Sequence, residues 1–453
     1  MTSEVGMGAL KQYIEIYEDH RDAVHANSVP VLNRKRERAL ELLREARLPH
    51  RGEEDYEATD MDALFAPDFG INVLQRKWSG DLHFSCDVPN LSTNLYYVIN
   101  DTMVPGATAR CDKGLVVETF RVAAERHPDI LEKYYGSLVR EDSVTASLNT
   151  LLVQDGILIY VPRGVRDLRP VQIVNVFNAA IPMMAMRRLL VVAEEDSGIK
   201  LLVCDHTRNG EQDYLTSEVV EIVACVNTTV DYYHLEESSE RTRRVSDLYV
   251  RQESGSNVLV NGITLVNGAT RNNYTIEVLG ERAETRLLGM AIESGRQHVD
   301  SYSRIEHKAP RCKSDEMMKY VLWDDAVGAF AGKILVAEGC PRVEAYQGNK
   351  NICQSATARM YTKPQLEIYT DDVKCSHGAT IGRLDEEALF YMQTRGVSRE
   401  EARRLLMQAF VHDVVEGVRL DVLRERLHHL VERRFAGSLA TCKDCGLSSK
   451  NEI

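Results

Sequence analysis

Cys375 and His377 stand two residues apart in the stretch Asp371-Asp372-Val373-Lys374-Cys375-Ser376-His377-Gly378-Ala379-Thr380. On an extended strand residues i and i+2 point to one face, so a thiol and an imidazole would share a surface there. A soft sulfur beside a nitrogen donor suits iron or sulfur chemistry. Near neutral pH an imidazole is largely unprotonated and can donate a lone pair. A thiol stays mostly protonated until a metal or a positive neighbour helps it ionise. Two donors do not close a metal site that takes ~4 ligands. On spacing alone the pair therefore reads first as a turn with a buried cysteine and an exposed histidine.

Other candidate motifs are weaker. Gly328-Ala329-Phe330-Ala331-Gly332-Lys333-Ile334 is one residue short of a P-loop between its glycines. It also lacks the Ser or Thr that would bind magnesium after the lysine, so the chain is expected to have no ATP site of its own. Cys442-Lys443-Asp444-Cys445 is a C-x-x-C pair with no second pair at finger spacing; it reads as part of a tail without a role. His428-His429 are neighbours on a helical pattern and point about 100° apart, which reads as solvated surface rather than a metal site. Asp324-Asp325 and Asp371-Asp372 would alternate faces on a strand, so neither pair is an acid/base dyad. A β-helix carbohydrate-active enzyme is the alternative from the enzyme class.

Several kinds of element must position these residues. Residues 8–46 carry a helical pattern with a break at Pro30, and 50–60 read as a polar loop. Asn94 to Ile99 reads as a strand and Arg121 to Tyr135 as a helix. From Leu151 to Ile368 short apolar runs recur, among them 157–161, 189–192, 201–203, 219–226, 258–266, 274–279 and 334–336. Gly, Asn, Asp or a charge pair breaks them every dozen or so residues. Many short strands at such spacing suggest a sandwich, a barrel or a β-solenoid, and the pattern does not choose among them. The last run ends at Ile368, which puts His377 beyond the final strand and near the surface. Asp385 is suited to cap a helix running to Arg395, with Gly396 as its left-handed stop. Ser398 and Glu401 have capping-box spacing for the next helix. A basic helix follows from Val418 to Phe435.

The chain has 453 residues, 44% hydrophobic and 27% charged, enough for two or three domains with a substantial core. A net charge of −13 argues against nucleic acid and against an anionic membrane surface. The first residues show no basic stretch followed by an apolar one, and no apolar run approaches the ~20 residues of a membrane span. Ten cysteines without a framework spacing read as reduced thiols. A cytoplasmic setting is expected.

From His307 to about Val418 the chain resembles the SufB/SufD family, the scaffold proteins of the SUF iron–sulfur assembly system. The resemblance rests on Glu344-Ala345-Tyr346-Gln347-Gly348-Asn349, on Gln365-Leu366-Glu367-Ile368 and on Asp371 through Gly378. It continues through Ala379-Thr380-Ile381-Gly382-Arg383-Leu384-Asp385-Glu386-Glu387-Ala388-Leu389-Phe390-Tyr391-Met392 and Arg395-Gly396. Leu48-Pro49 with Glu53, Tyr56, Thr59 and Asp60 is similar to a second, looser family segment. Cys375-Ser376-His377-Gly378 is similar to the SufD branch; a SufB-like, self-sufficient scaffold is the alternative within the family. Val321-Leu322-Trp323-Asp324 and Ile352-Cys353-Gln354-Ser355 depart from the family pattern.

The resemblance implies a mainly β protein. A right-handed parallel β-helix over 151–380 would stand between a helical and mixed region at 1–150 and a helical region at 381–437, with a mobile tail at 438–453. It implies a non-catalytic scaffold that pairs with a SufB-like subunit through the C-terminal end of the solenoid. The C-terminal helices would dock a SufC-like ABC-type ATPase. A transient iron–sulfur cluster would be shared with the partner at His377, with Cys375 the second candidate. A homodimer and a flavin site are left open. Removing the chain from Glu386 onward is expected to leave the solenoid folded.

Overall fold

The computed structural model describes residues 8–76, 92–105, 109 and 113–437; Cys442, Cys445 and the expected tail lie outside them. The N-terminal part comprises α1 (Gly8–Asp19), α2 (Arg21–Ala26), α3 (Pro30–Glu45), α4 (Met61–Phe65), β1 (Gly70–Ile71), β2 (Asn94–Ile99), β3 (Thr102–Pro105), β4 (Val116–Thr119), α5 (Phe120–Arg126), α6 (Pro128–Tyr134) and α7 (Val144–Leu152). A run of strands follows: β5 (Ile157–Val161), β6 (Val171–Phe177), β7 (Met183–Ala193), β8 (Gly198–Thr207), β9 (Tyr214–Ala224), β10 (Thr229–Glu237), β11 (Thr242–Gln252) and β12 (Asn257–Val266). It continues through β13 (Ala269–Val278), β14 (Glu284–Glu293), β15 (His298–His307), β16 (Lys313–Leu322), β17 (Val327–Val336), β18 (Val343–Cys353), β19 (Arg359–Ile368) and β20 (Val373–Gly382). The chain then forms α8 (Glu386–Thr394), α9 (Arg399–Glu416) and α10 (Asp421–Phe435).

From β5 to β20 the odd strands form one sheet and the even strands the other. Within each sheet every strand pairs in parallel with the strand two places before and after it. The protein is a parallel β-solenoid of about eight turns, flanked by helices. The parallel ladders decide what the apolar pattern left open. The turns show how the sequence enforces the winding. Each passage from an odd to an even strand between β7 and β18 holds a residue with φ near +60°: Asp196, Asn227, Gly255, Arg282, Arg311 and Arg342. A left-handed residue at each of these passages sends the chain into the other sheet without a hairpin, and Gly295, Asp324 and Gly339 add further positive-φ positions. Asn267-Gly268, which resembles a hairpin turn, also serves the solenoid. Asn267 is buried and donates to Thr270 Oγ1 and to the His298 carbonyl, both at 2.9 Å. A side chain on Gly268 would come within 2.3 Å of the Glu240 carbonyl oxygen.

Inward side chains of both sheets make one continuous core, from Ile159 and Val171 at one end to Val343 and Ala345 at the other. The outer faces are also apolar, and the helices cover them. N-terminal helices pack on the odd sheet through Leu158, Leu190 and Leu215. α9 and α10 pack on the even sheet through Val411, Val415, Leu427 and Leu430 against Leu202, Leu259, Ile263 and Met290. The helices are thus terminal in sequence but lateral in space. Trp323, one of the departures from the family pattern, receives the end of α10: its ring lies 6.2 Å from Phe435 and under the Arg434 guanidinium.

The local readings of the ends hold in detail. Asp385 accepts from the Glu387 and Ala388 amides, Ser398 accepts from the Glu401 amide, and Gly396 has φ +88°. The break expected at Pro30 falls between α2 and α3, and Pro30 occupies the first turn of α3, where no amide hydrogen is needed. The expected helix from Arg121 to Tyr135 divides at Pro128 for the same reason.

Candidate functional site

β20 is the last strand of the even sheet and β19 the last of the odd sheet, and each is bonded along one edge only. Together they make the final rung. His377 lies within β20 and not beyond the last strand; the pattern hid this because β20 buries little apolar surface. Cys375 pairs in register with Ala345 and His377 with Gln347. Ala345 belongs to the inner core, so both side chains sit on inward columns, as two-residue spacing requires. The His377 column continues inward through Gln347 and Glu316 to Leu287. Gln347 donates to Glu316 Oε2 at 2.8 Å. Burial pushes the Glu316 carboxyl up to about 7. His377 is therefore the outermost member of a short polar column that ends two rungs inside.

The two candidates differ in environment. His377 is exposed, because among the described residues no further rung covers it. Cys375 is half-buried against the core, and burial raises its thiol pKa although the Ala345 backbone partly offsets this. The nearby Lys374 ammonium is engaged with Glu344 at 3.1 Å. Cys375 thus rests as a thiol, and an arriving metal or cation would have to ionise it. Around the pair, Ile368, Tyr369, Ile381 and Tyr346 are 39%, 61%, 50% and 43% exposed. An unpaired strand edge with apolar side chains is a template for another chain. Among the described residues no three histidine, cysteine or carboxylate ligand atoms converge on this rung.

α8 is the second exposed feature. Leu389 is its one buried residue, while Phe390 and Tyr391 are 68% and 59% exposed. The P-loop-like segment lies inside β17, where a side chain on Gly332 would meet Gln347 Nε2 at 2.4 Å. Its glycines make room for interior packing.

Sequence reasoning missed a polar network inside the solenoid. Asp205 receives Arg187 at 2.9 Å, His234 Nε2 at 2.8 Å and Asn175 at 2.8 Å, and Arg244 lies 3.2 Å away. Arg244 also pairs with Glu218 at 3.0 Å, bridging the rungs. All these groups are buried. Charges at inward strand positions were legible as alternation, but only a register makes them neighbours.

The comparisons with known proteins agree with this geometry. The model of the SUF system FeS cluster assembly SufBD core domain matches residues 175–410, and that of the SufBD protein N-terminal region matches 7–173. The chain belongs to the SufB/SufD family. An iron-sulfur cluster assembly SufBD family protein of Synechocystis is 28% identical over 89% of this chain and 91% of its own. Iron-sulfur cluster assembly protein SufD of Bacillus subtilis is 26% identical over 71% of this chain and 74% of its own. That of Escherichia coli is 33% identical over 38% of this chain and 41% of its own. These relatives support the SufD-like branch. No helix among the described residues is long and apolar enough to cross a membrane.

Proposed function

We propose that this chain is a non-catalytic, SufD-like scaffold subunit that closes its last rung against a SufB-like partner and holds a nascent iron–sulfur cluster there as cargo. The observation that carries this reading is the uncovered final rung, where an inward thiol and imidazole meet an unpaired strand edge. Two donors need completion from another chain, and the free edge with Ile368, Tyr369 and Ile381 offers that chain a place to bind. His377 is the readier ligand, and Cys375 joins when metal displaces its proton. The described cysteines are all free thiols, which suits a reducing compartment such as the cytoplasm.

ATP hydrolysis belongs in this reading to an ABC-type partner docked on the C-terminal helices. α9 and α10 spend their apolar faces on the even sheet, which narrows the docking surface to α8 with Phe390 and Tyr391. Deleting everything from Glu386 would strip the cover from Leu202, Leu259 and Met290, so the solenoid would not stay intact as the sequence suggested. Phe390→Asp with Tyr391→Asp is the cleaner test, and ATPase binding at wild-type strength would remove the docking assignment.

The test of the cargo site is co-expression with the SufB-like subunit and the ATPase subunit. Cluster content is read by visible absorbance and iron assay, and assembly by size. His377→Ala should leave the complex assembled and sharply lower its cluster content. An assembled His377→Ala complex with wild-type cluster content would reduce the last rung to a structural contact.

A further inference from the structure

We infer that His412, Glu416 and His428 form a binding site for a divalent transition cation, with zinc the best-suited ion, that clips α9 to α10. The inference is independent of the cluster reading and of the final rung.

The site is assembled by helix geometry. His412 and Glu416 are one turn apart on α9 and so share a face. The chain turns at 417–420, and α10 returns beside α9 to bring His428 against both. His428 Nε2 lies 2.8 Å from Glu416 Oε1, and the His412 and His428 rings are 5.4 Å apart. One ligand atom from each of the three residues lies within 4.8 Å of the others. Ligand bonds of ~2.0–2.2 Å put the donors of one tetrahedral ion roughly 3–3.6 Å apart. All three residues are exposed, so small side-chain rotations close the remaining gap.

The donor set selects the ion. Two imidazoles and one carboxylate suit zinc and its first-row neighbours, whereas magnesium and calcium take oxygen ligands. Three protein ligands leave a fourth position open to solvent, along the groove of about 600 Å³ that His412 and His428 line. Glu416 supplies the carboxylate through Oε1, the oxygen that faces His428. Its second oxygen lies 3.7 Å from Arg424 Nε, which steadies the carboxylate without blocking Oε1. The adjacent histidines therefore divide their roles. His429 borders the same groove but is no part of the trio whose ligand atoms converge, while His428 meets ligands that lie 12 and 16 positions earlier in the chain.

The test uses the full-length, tag-free, metal-free protein under reducing conditions. Cobalt(II) is titrated and its d–d absorption recorded, and zinc(II) is then added as competitor. The expected result is one equivalent of cobalt without thiolate-to-metal charge transfer, displaced by zinc. His412→Ala and His428→Ala should each weaken cobalt binding at least tenfold, because losing even an outer-shell group weakens metal sites by ~10–100-fold. His429→Ala should bind like the wild type. Zinc should raise the thermal midpoint of wild type and not of His412→Ala, since a ligand of the native state stabilises it. All three positions are exposed, and the midpoints of the metal-free variants check that folding is intact. Cobalt bound to His412→Ala or His428→Ala as tightly as to wild type overturns the proposal. An equal loss in His429→Ala does the same.

Discussion

The two ends of the solenoid follow opposite rules. At the first turns β6, β7 and β9 are buried along their whole length. The antiparallel strands β3 and β4 close the two sheets there, beside β2 and β5. At the last turn β19 is half-exposed and β20 exposed almost throughout. Solenoids need capping at both ends, because an open rung presents bare core and unpaired backbone. One end of this molecule carries its cap in the same chain, and the other is left uncovered by the described residues. Buried ionisable groups run through the solenoid, from the Asp205 network to the Arg271–Asp300 pair and Glu316, and the series ends at His377, which lies in solvent.

The largest effect should come from breaking the capped half. Burial opposes the charge on Asp205, but the hydrogen bond from His234 and the charges of Arg187 and Arg244 hold its carboxyl well below the usual range. Asp205→Ala would leave buried cations without their anion. The expected loss is about 3–5 kcal/mol, the typical result of removing one partner of a buried pair. Denaturant midpoints at unchanged slope measure it. A loss below about 1 kcal/mol would mean that the network is not what holds these rungs.

Intermediate effects should come from protons. Burial pushes Glu316 up to about 7 and Glu293 up to about 8, from an ordinary 4.5. Between about 4.5 and 7 the folded chain keeps a proton on Glu316 that the unfolded chain has released. The contribution is complete below the unfolded value and is lost as pH rises through the folded one, so stability falls with rising pH. Glu316→Gln keeps the amide-like shape and removes the titration. It should flatten the fall between pH 5 and 8, by roughly 1–3 kcal/mol at the upper end. Parallel stability curves for wild type and Glu316→Gln would show that Glu316 titrates normally.

How much of this was legible depended on what each signal encodes. Caps are local, so Asp385, Ser398 and Gly396 could be read directly. β2 and β5 were legible at their full lengths as apolar runs. β20 was not, because its side chains are almost all exposed and carry no buried apolar pattern. α7 was missed because its buried positions include Thr145, Ser147 and Asn149, which look polar and are satisfied inside. Asn149 donates to the Arg187 and Ser217 carbonyls at 3.2 and 2.9 Å. That Cys375 and His377 share a face was readable from spacing. That they face inward, at an uncovered rung, required the register.

At the open end, charge should affect association rather than folding. Ile381 is half-exposed on an inward column, so Ile381→Lys should change stability by no more than ~0.5 kcal/mol. The same change should weaken the SufB-like partner at least tenfold, about 1.4 kcal/mol of binding. Equal binding by wild type and variant, in titrations at matched salt, would move the interface away from this rung.

The smallest folding effects should fall on the candidate ligands themselves. His377 is exposed and makes no described hydrogen bond that folding needs, so His377→Ala should stay within ~0.5 kcal/mol. Cys375 is half-buried and touches the core, so Cys375→Ala should lose somewhat more, up to about 1 kcal/mol. The order matters more than either value. If the end is open, the loss of stability should shrink in steps from Asp205→Ala to Cys375→Ala to His377→Ala, in line with burial. Thermal midpoints of the isolated chain would show it. A loss above about 1 kcal/mol for His377→Ala would mean that the last rung is packed like the others, and the contrast between the two ends would fail.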